Sequence, residues 1–84
     1  MTEQQIQKKI TDELTKNGWM VVKLMKTNCN GIADLMALRE GVTKFIEVKK
    51  PGGTISELQK FRIKQLRSKG FEAVAMDSIN NVIF

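Results

Sequence analysis

The only proline of the chain stands in Lys50-Pro51-Gly52-Gly53, and this segment fixes what can form on either side of it. Proline fixes φ and lacks a backbone N–H, and the glycines behind it favour an abrupt change of direction. An apolar run arriving from the N-terminal side must end there. That run, Val42–Val48, is the last of three. Residues 19–25 and 32–38 also read as strands, with the polar loop Lys26-Thr27-Asn28-Cys29-Asn30-Gly31 between them. Glu40-Gly41 reads as a turn joining the second strand to the third.

Helical patterns flank these strands. Thr2 with Gln5 predicts a capping box, and Ile6, Ile10 and Leu14 then recur at helical spacing. Asn17-Gly18 ends that helix. Glu3 and Gln7 continue its apolar stripe, an odd place for a polar pair. Past the proline, Thr54 with Glu57, or Ser56 with Gln59, predicts the cap of a second helix reaching about residue 69, with Gly70 closing it. Residues 72–76 read as a fourth strand and 77–84 as a turn with a short apolar end. The order is helix, three strands, helix, strand, without repeat or linker. It predicts one small α/β domain over 1–84, with helices packed on a central sheet. Met20, Met25, Met36 and Met76 are expected in the core, as are the singly spread aromatic residues.

The chemistry lies in the strands. With Glu40-Gly41 as a two-residue turn, Arg39 faces Val42, and continuing that register puts Asp34 directly opposite Glu47. Cross-strand partners on one face lie about 5 Å apart. Lys49, two residues beyond Glu47, shares the face. Aspartate is depleted in strands, and like charges placed opposite each other repel. A cation between the two carboxylates resolves that conflict, with the Val48 carbonyl as a further oxygen ligand. Spacing alone leaves a second reading open: Asp34 caps the strand start, and Glu47 and Lys49 form a solvent-exposed ladder.

Composition narrows the options. There is no histidine, so serine–histidine and cysteine–histidine catalysis are excluded and a zinc site is disfavoured. A metal held by oxygens points to Mg²⁺ or Mn²⁺. The net charge of +5 fits a polyanionic partner, although a basic surface with no partner is equally compatible with charge alone. No apolar run is long enough to cross a membrane, and a single cysteine fits a reducing intracellular setting. A chain this short gains from self-association, so a homodimer is expected.

These residues resemble a known family. Asp34…Glu47-Val48-Lys49 resembles the core motif of the PD-(D/E)xK nucleases. More narrowly, the chain resembles the virus-type replication-repair nuclease (VRR-NUC) domain. Glu3-Gln4-Gln5-Ile6-Gln7 is similar to its opening helix motif. Gly31-Ile32-Ala33-Asp34-Leu35 is similar to its Gly-x-Pro-Asp-Leu, with Ala33 in place of the proline. Phe45-Ile46-Glu47-Val48-Lys49-Lys50-Pro51-Gly52-Gly53 is close to its most typical stretch, and Ile55-Ser56-Glu57-Leu58-Gln59 to its Leu-Ser-x-x-Gln.

The resemblance implies an αβββαβ restriction-endonuclease-like core with a mixed sheet. It implies a metal-dependent endonuclease acting on branched DNA such as four-way junctions, as a homodimer, in the cytoplasm of a bacterial or phage-infected cell. Asp34, Glu47 and the Val48 carbonyl are then metal ligands and Lys49 the catalytic lysine. Glu3 is a further acid that binds metal directly or through water. Candidate DNA contacts are Lys50 first, then Lys26, Gln59, Lys60 and Arg62, with Lys23, Lys64 and Arg67 as further candidate phosphate contacts. Gln59 has an alternative role in the cap, and any one of the cations has an alternative as a solvated charge. The competing functional reading is a non-catalytic basic DNA-binding module that kept the fold.

Overall fold

A computed structural model describes all 84 residues, Met1–Phe84. The element order is α1 (Glu3–Lys16), β1 (Met20–Lys23), β2 (Leu35–Arg39), β3 (Val42–Val48), α2 (Glu57–Ser68), β4 (Glu72–Ser78) and β5 (Asn81–Val82). The strands form one mixed sheet in the order β1-β2-β3-β4-β5, in which only the β3–β4 pair is parallel. Parallel neighbours need a long crossover, and α2 supplies it.

Both helices start from capping boxes. Thr2 and Gln5 exchange side-chain and backbone hydrogen bonds at α1, and Ser56 and Gln59 do so at α2. Of the two caps open for α2, the Ser56–Gln59 pair is the one formed. Each box satisfies helix-end N–H groups that otherwise lack an intrahelical partner.

The helices cover opposite faces of the sheet. Ile6, Ile10 and Leu14 of α1 pack with Leu35, Ala37, Ile46, Val48 and Met76. Ile63 of α2 packs with Ala73 and Ala75, with Phe45, Ile55, Leu66 and Phe84 around them. The strand period of two makes this division. In β3, Ile46 and Val48 face α1, while Phe45 and Glu47 face α2. Burying one such aliphatic side chain contributes about 1.5–3 kcal/mol.

Several expectations are corrected. Glu72–Ser78 runs two residues beyond the expected fourth strand, because Asn81 and Val82 fold back as a fifth strand and extend the pairing. Residues 32 and 33 lie before β2, not inside it. Met20 and Met25 are exposed, not core. Met20 shares a face with its β2 partner Leu38, on the α2 side of the sheet, and α2 packs over β3 and β4, leaving edge strand β1 bare. Met25 lies past the end of β1. Phe61 and Phe71 are also exposed. Phe61 sits on the outer face of α2, and Phe71 precedes β4, edge-on to Phe45 with ring centroids 5.9 Å apart. Met76 is buried in the core as expected, whereas Met36 is only half-buried and belongs to neither core cluster.

Candidate active site

The β2–β3 register is the expected one: Arg39 pairs with Val42 and Leu35 with Ile46. Asp34 lies one residue before β2, yet its backbone is held between both neighbouring strands. Its N–H donates to the Ile46 carbonyl at 3.1 Å, and its carbonyl accepts from Leu24 N–H at 2.8 Å. The side chain then reaches across to β3, where Oδ2 accepts the Val48 N–H at 2.8 Å. Asp34 is therefore locked beside the backbone from which Glu47 and Lys49 project.

Glu47 is the only polar residue of the buried set, at 3% exposure. Its Oε1 accepts Gln59 Nε2 at 2.7 Å. The Lys49 ammonium stands 4.0 Å from the same oxygen, with its side chain largely buried. Oε2 is sealed from solvent and has no hydrogen-bond partner. A buried carboxylate oxygen without a partner is costly unless a cation or proton answers it. The exposed ladder of Glu47 and Lys49 is therefore not what forms. Asp34 does tie down the start of its strand, and it does so inside the same cluster.

Electrostatics express the same conflict. Burial raises the Asp34 carboxyl above its ordinary 3.8, against the lowering effect of the Val48 N–H; Glu3 adds to the rise and Lys49 opposes it. Burial is also the largest cause at Glu47, whose carboxyl is pushed up to about 8 from 4.5, with the Asp34 charge adding, Lys49 opposing and Glu3 adding further. With both acids ionised, two carboxylates and one cation leave a deficit of positive charge. The residues present suit a divalent cation.

Gln59 resolves an alternative by filling both roles. Its Oε1 accepts Ser56 N–H at 3.0 Å in the cap, while its Nε2 donates to Glu47. A backbone N–H can only donate, so the cap fixes which end of the amide faces the acid. Helix initiation and orientation of Glu47 are thus one device.

The other candidates sit farther out. Glu3 is the exposed first residue of α1, and it acts on both acids through its charge. No three His, Cys, Asp or Glu side chains gather as a metal-ligand cluster. Lys26 belongs to the loop that, with Asp34, lines an open cleft of about 580 Å³. Lys50 is exposed next to Lys49. Lys60 is half-buried, 3.4 Å from Glu57. Arg62 turns inward: its Nε donates to the Asn30 carbonyl at 2.7 Å and its Nη1 to Gln65 Oε1 at 3.0 Å. It latches the cleft loop to α2, beside the close approach of Gly31 to Leu58. No motif pointed to that latch. Its one local sign was Gly31, which adopts φ +80° under the helix.

The VRR-NUC family model matches residues 1–80, nearly the whole chain. The chain belongs to the VRR-NUC family. A solved structure described as a VRR_NUC domain superposes with TM-score 0.82 at 26% identity, covering 94% of this chain and 88% of its own. A second, a VRR_NUC domain protein, gives TM-score 0.79 at 21% identity over 96% of this chain and 81% of its own, a likeness of fold. No curated protein matches the sequence significantly. VRR-NUC domains carry a nuclease fold and are generally structure-specific DNA nucleases, so DNA is the partner the family implies. Nucleases of the PD-(D/E)xK type to which they belong generally use divalent metals. No helix here is long and apolar enough to cross a membrane.

Proposed function

We propose that this VRR-NUC domain is a metal-dependent endodeoxyribonuclease that hydrolyses phosphodiester bonds in branched DNA, four-way junctions included. The observation that carries the reading is the sealed, unpartnered Oε2 of Glu47 beside Asp34 and Lys49. Asp34, Glu47 and the Val48 carbonyl would hold Mg²⁺ or Mn²⁺. Such an ion supplies Lewis acidity toward a phosphoryl oxygen and makes water a stronger nucleophile at neutral pH.

The chain's own groups supply the rest. Lys49, its side chain largely buried, presents its ammonium 4.0 Å from Glu47 Oε1, where it orients the attacking water and offsets charge developing on the phosphoryl oxygens. Gln59 keeps Glu47 Oε1 occupied, so that Oε2 is the oxygen left for the cation. The Val48 N–H holds Asp34 in register. Glu3 contributes through water from the rim of the site. Lys26, in the cleft wall, and the exposed Lys50 next to Lys49 bind phosphates, which positions the strand without reading bases.

The domain acts as a homodimer. Two sites related by a two-fold axis match the pseudo-two-fold of a four-way junction.

The test is a panel of labelled junction, flap, splayed-arm and duplex DNAs with Mg²⁺, with Mn²⁺ and with chelator. Cleavage is expected with metal, strongest on branched forms, and none with chelator. Asp34→Asn and Lys49→Ala should abolish it while circular dichroism shows the fold kept. Light scattering should give twice the chain mass. Junction binding without cutting under every metal condition would instead establish the non-catalytic binding module.

A further inference from the structure

Three basic side chains gather along one flank of α2. Lys60, Lys64 and Arg67 recur at spacings of four and three, one stripe of a helix. All three cations lie over the ring of Phe84, at 5.9, 5.9 and 5.3 Å from its centroid. Like charges drawn around one ring repel, and the ring's quadrupole offsets only part of that. On other faces Lys8 meets Asp12 and Lys44 meets Glu72, each within 3 Å. On this stripe the sole ion pair is Lys60 with Glu57, loose at 3.4 Å and with the Glu57 side chain 93% exposed.

Arg67 gives Nε to the Ala73 carbonyl and Nη2 to the Phe84 carbonyl. The first bond ties the helix to β4, the second fastens Phe84, and the other guanidinium donors have no protein partner.

The stripe starts beside the candidate site. Lys60 follows Gln59, whose amide touches Glu47. Lys64 and Arg67 lie about 6 and 10 Å farther along the helix axis. An open cleft of about 430 Å³, lined by Gly52, Gly53, Thr54, Lys60 and Phe84, connects the stripe with the turn that follows Lys49 and Lys50. Asp77 also lines this cleft, and its carboxylate accepts Asn81 Nδ2 at 2.7 Å.

We infer that Lys60, Lys64 and Arg67 form a phosphate-binding stripe that holds the sugar-phosphate backbone of a duplex arm leading away from the cleavage centre. The inference rests on DNA being the substrate. It adds which face of the domain the arm follows and in which direction. The contacts are to phosphate, so they are independent of sequence.

The experiment compares two pairs of substitutions of equal charge change. Lys60→Gln with Lys64→Gln alters the stripe. Lys9→Gln with Lys16→Gln alters exposed lysines of α1, on the opposite face of the sheet. Arg67 is left intact because it fastens Phe84. Anisotropy of a labelled junction and of a plain duplex, measured in chelator across a salt series, reads binding apart from cutting. The stripe pair should weaken binding on the order of tenfold or more at about 0.1 M salt, and flatten the slope of log K against log salt by about 2. The α1 pair should change affinity by less than about twofold.

Equal losses in both pairs, or no loss in the stripe pair, would overturn the stripe. If the wild type binds with the expected salt slope, loses it in the stripe pair and never cuts with metal, the stripe stands and the nuclease reading falls. If the wild type cuts and the stripe pair binds unchanged, the nuclease reading stands and the stripe falls.

Discussion

Glu47→Gln should flatten the pH dependence of stability in the metal-free protein. The folded protein holds the Glu47 proton up to about pH 8, while the unfolded chain releases it just above its ordinary 4.5. Between those values the unfolded state binds fewer protons, so stability is fullest at the acid end and falls as pH rises toward 8. The slope is about 1.4 kcal/mol per pH unit, so the loss between about pH 5 and pH 8 is about 3–4 kcal/mol. A domain of this size has only about 4–12 kcal/mol in total, so melting should drop by more than about 10 °C.

The assay is urea unfolding followed by circular dichroism, in chelator, at both pH values. The wild type should show the fall. The Gln variant, neutral throughout and still able to accept from Gln59, should lose less than about 1 kcal/mol by the same linkage. Adding Mn²⁺ at pH 8 should restore the wild type and leave the variant behind, since an ion bound only to the folded state stabilises that state. Equal pH dependence in the two proteins would refute the account of Glu47 as a buried acid lacking a cation.

Three further substitutions probe the supports of the site. Gln59→Glu keeps an acceptor for the α2 cap but replaces the donor to Glu47 with a second carboxylate; metal-free stability at pH 8 should fall by about 1–3 kcal/mol, read by thermal melting in chelator, and cleavage should fall with it. Gly31→Ala forces a side chain into φ +80° with its Cβ 2.6 Å from Leu58 Cγ; a loss of about 1–3 kcal/mol in urea unfolding is expected, and adding Leu58→Ala should relieve the clash but not the backbone strain. Glu40→Asn should raise the urea midpoint by about 0.5–1 kcal/mol of stability, because Glu40 and Gly41 both have positive φ and asparagine tolerates that turn better.

How much of this was written in the sequence depends on how local the interactions are. The capping boxes, the Asn17-Gly18 stop and the strand ended by Lys50-Pro51 are decided within a few residues, and they stand where local chemistry put them. The register of the β2–β3 hairpin was equally legible, because a two-residue turn leaves one pairing for everything beyond it. Met20 and Phe61 were misread as core because an apolar residue in a strand or helix does not reveal whether another layer covers it.

The sequence alone thus placed Asp34, Glu47 and Lys49 on one face, through strand periodicity and a short turn. It also marked Gln59, and its resemblance to the VRR-NUC family is borne out by the family match. Only the tertiary structure decided what those residues experience. The α2 crossover lays Gln59 on Glu47, closes the acid off from water and leaves Oε2 without a partner. The same packing committed Arg62 to the cleft loop and drew Phe84 under three cations. Burial, charge balance and partner choice arise between segments far apart in the chain. Spacing determines which residues are able to meet, and packing determines what their meeting costs.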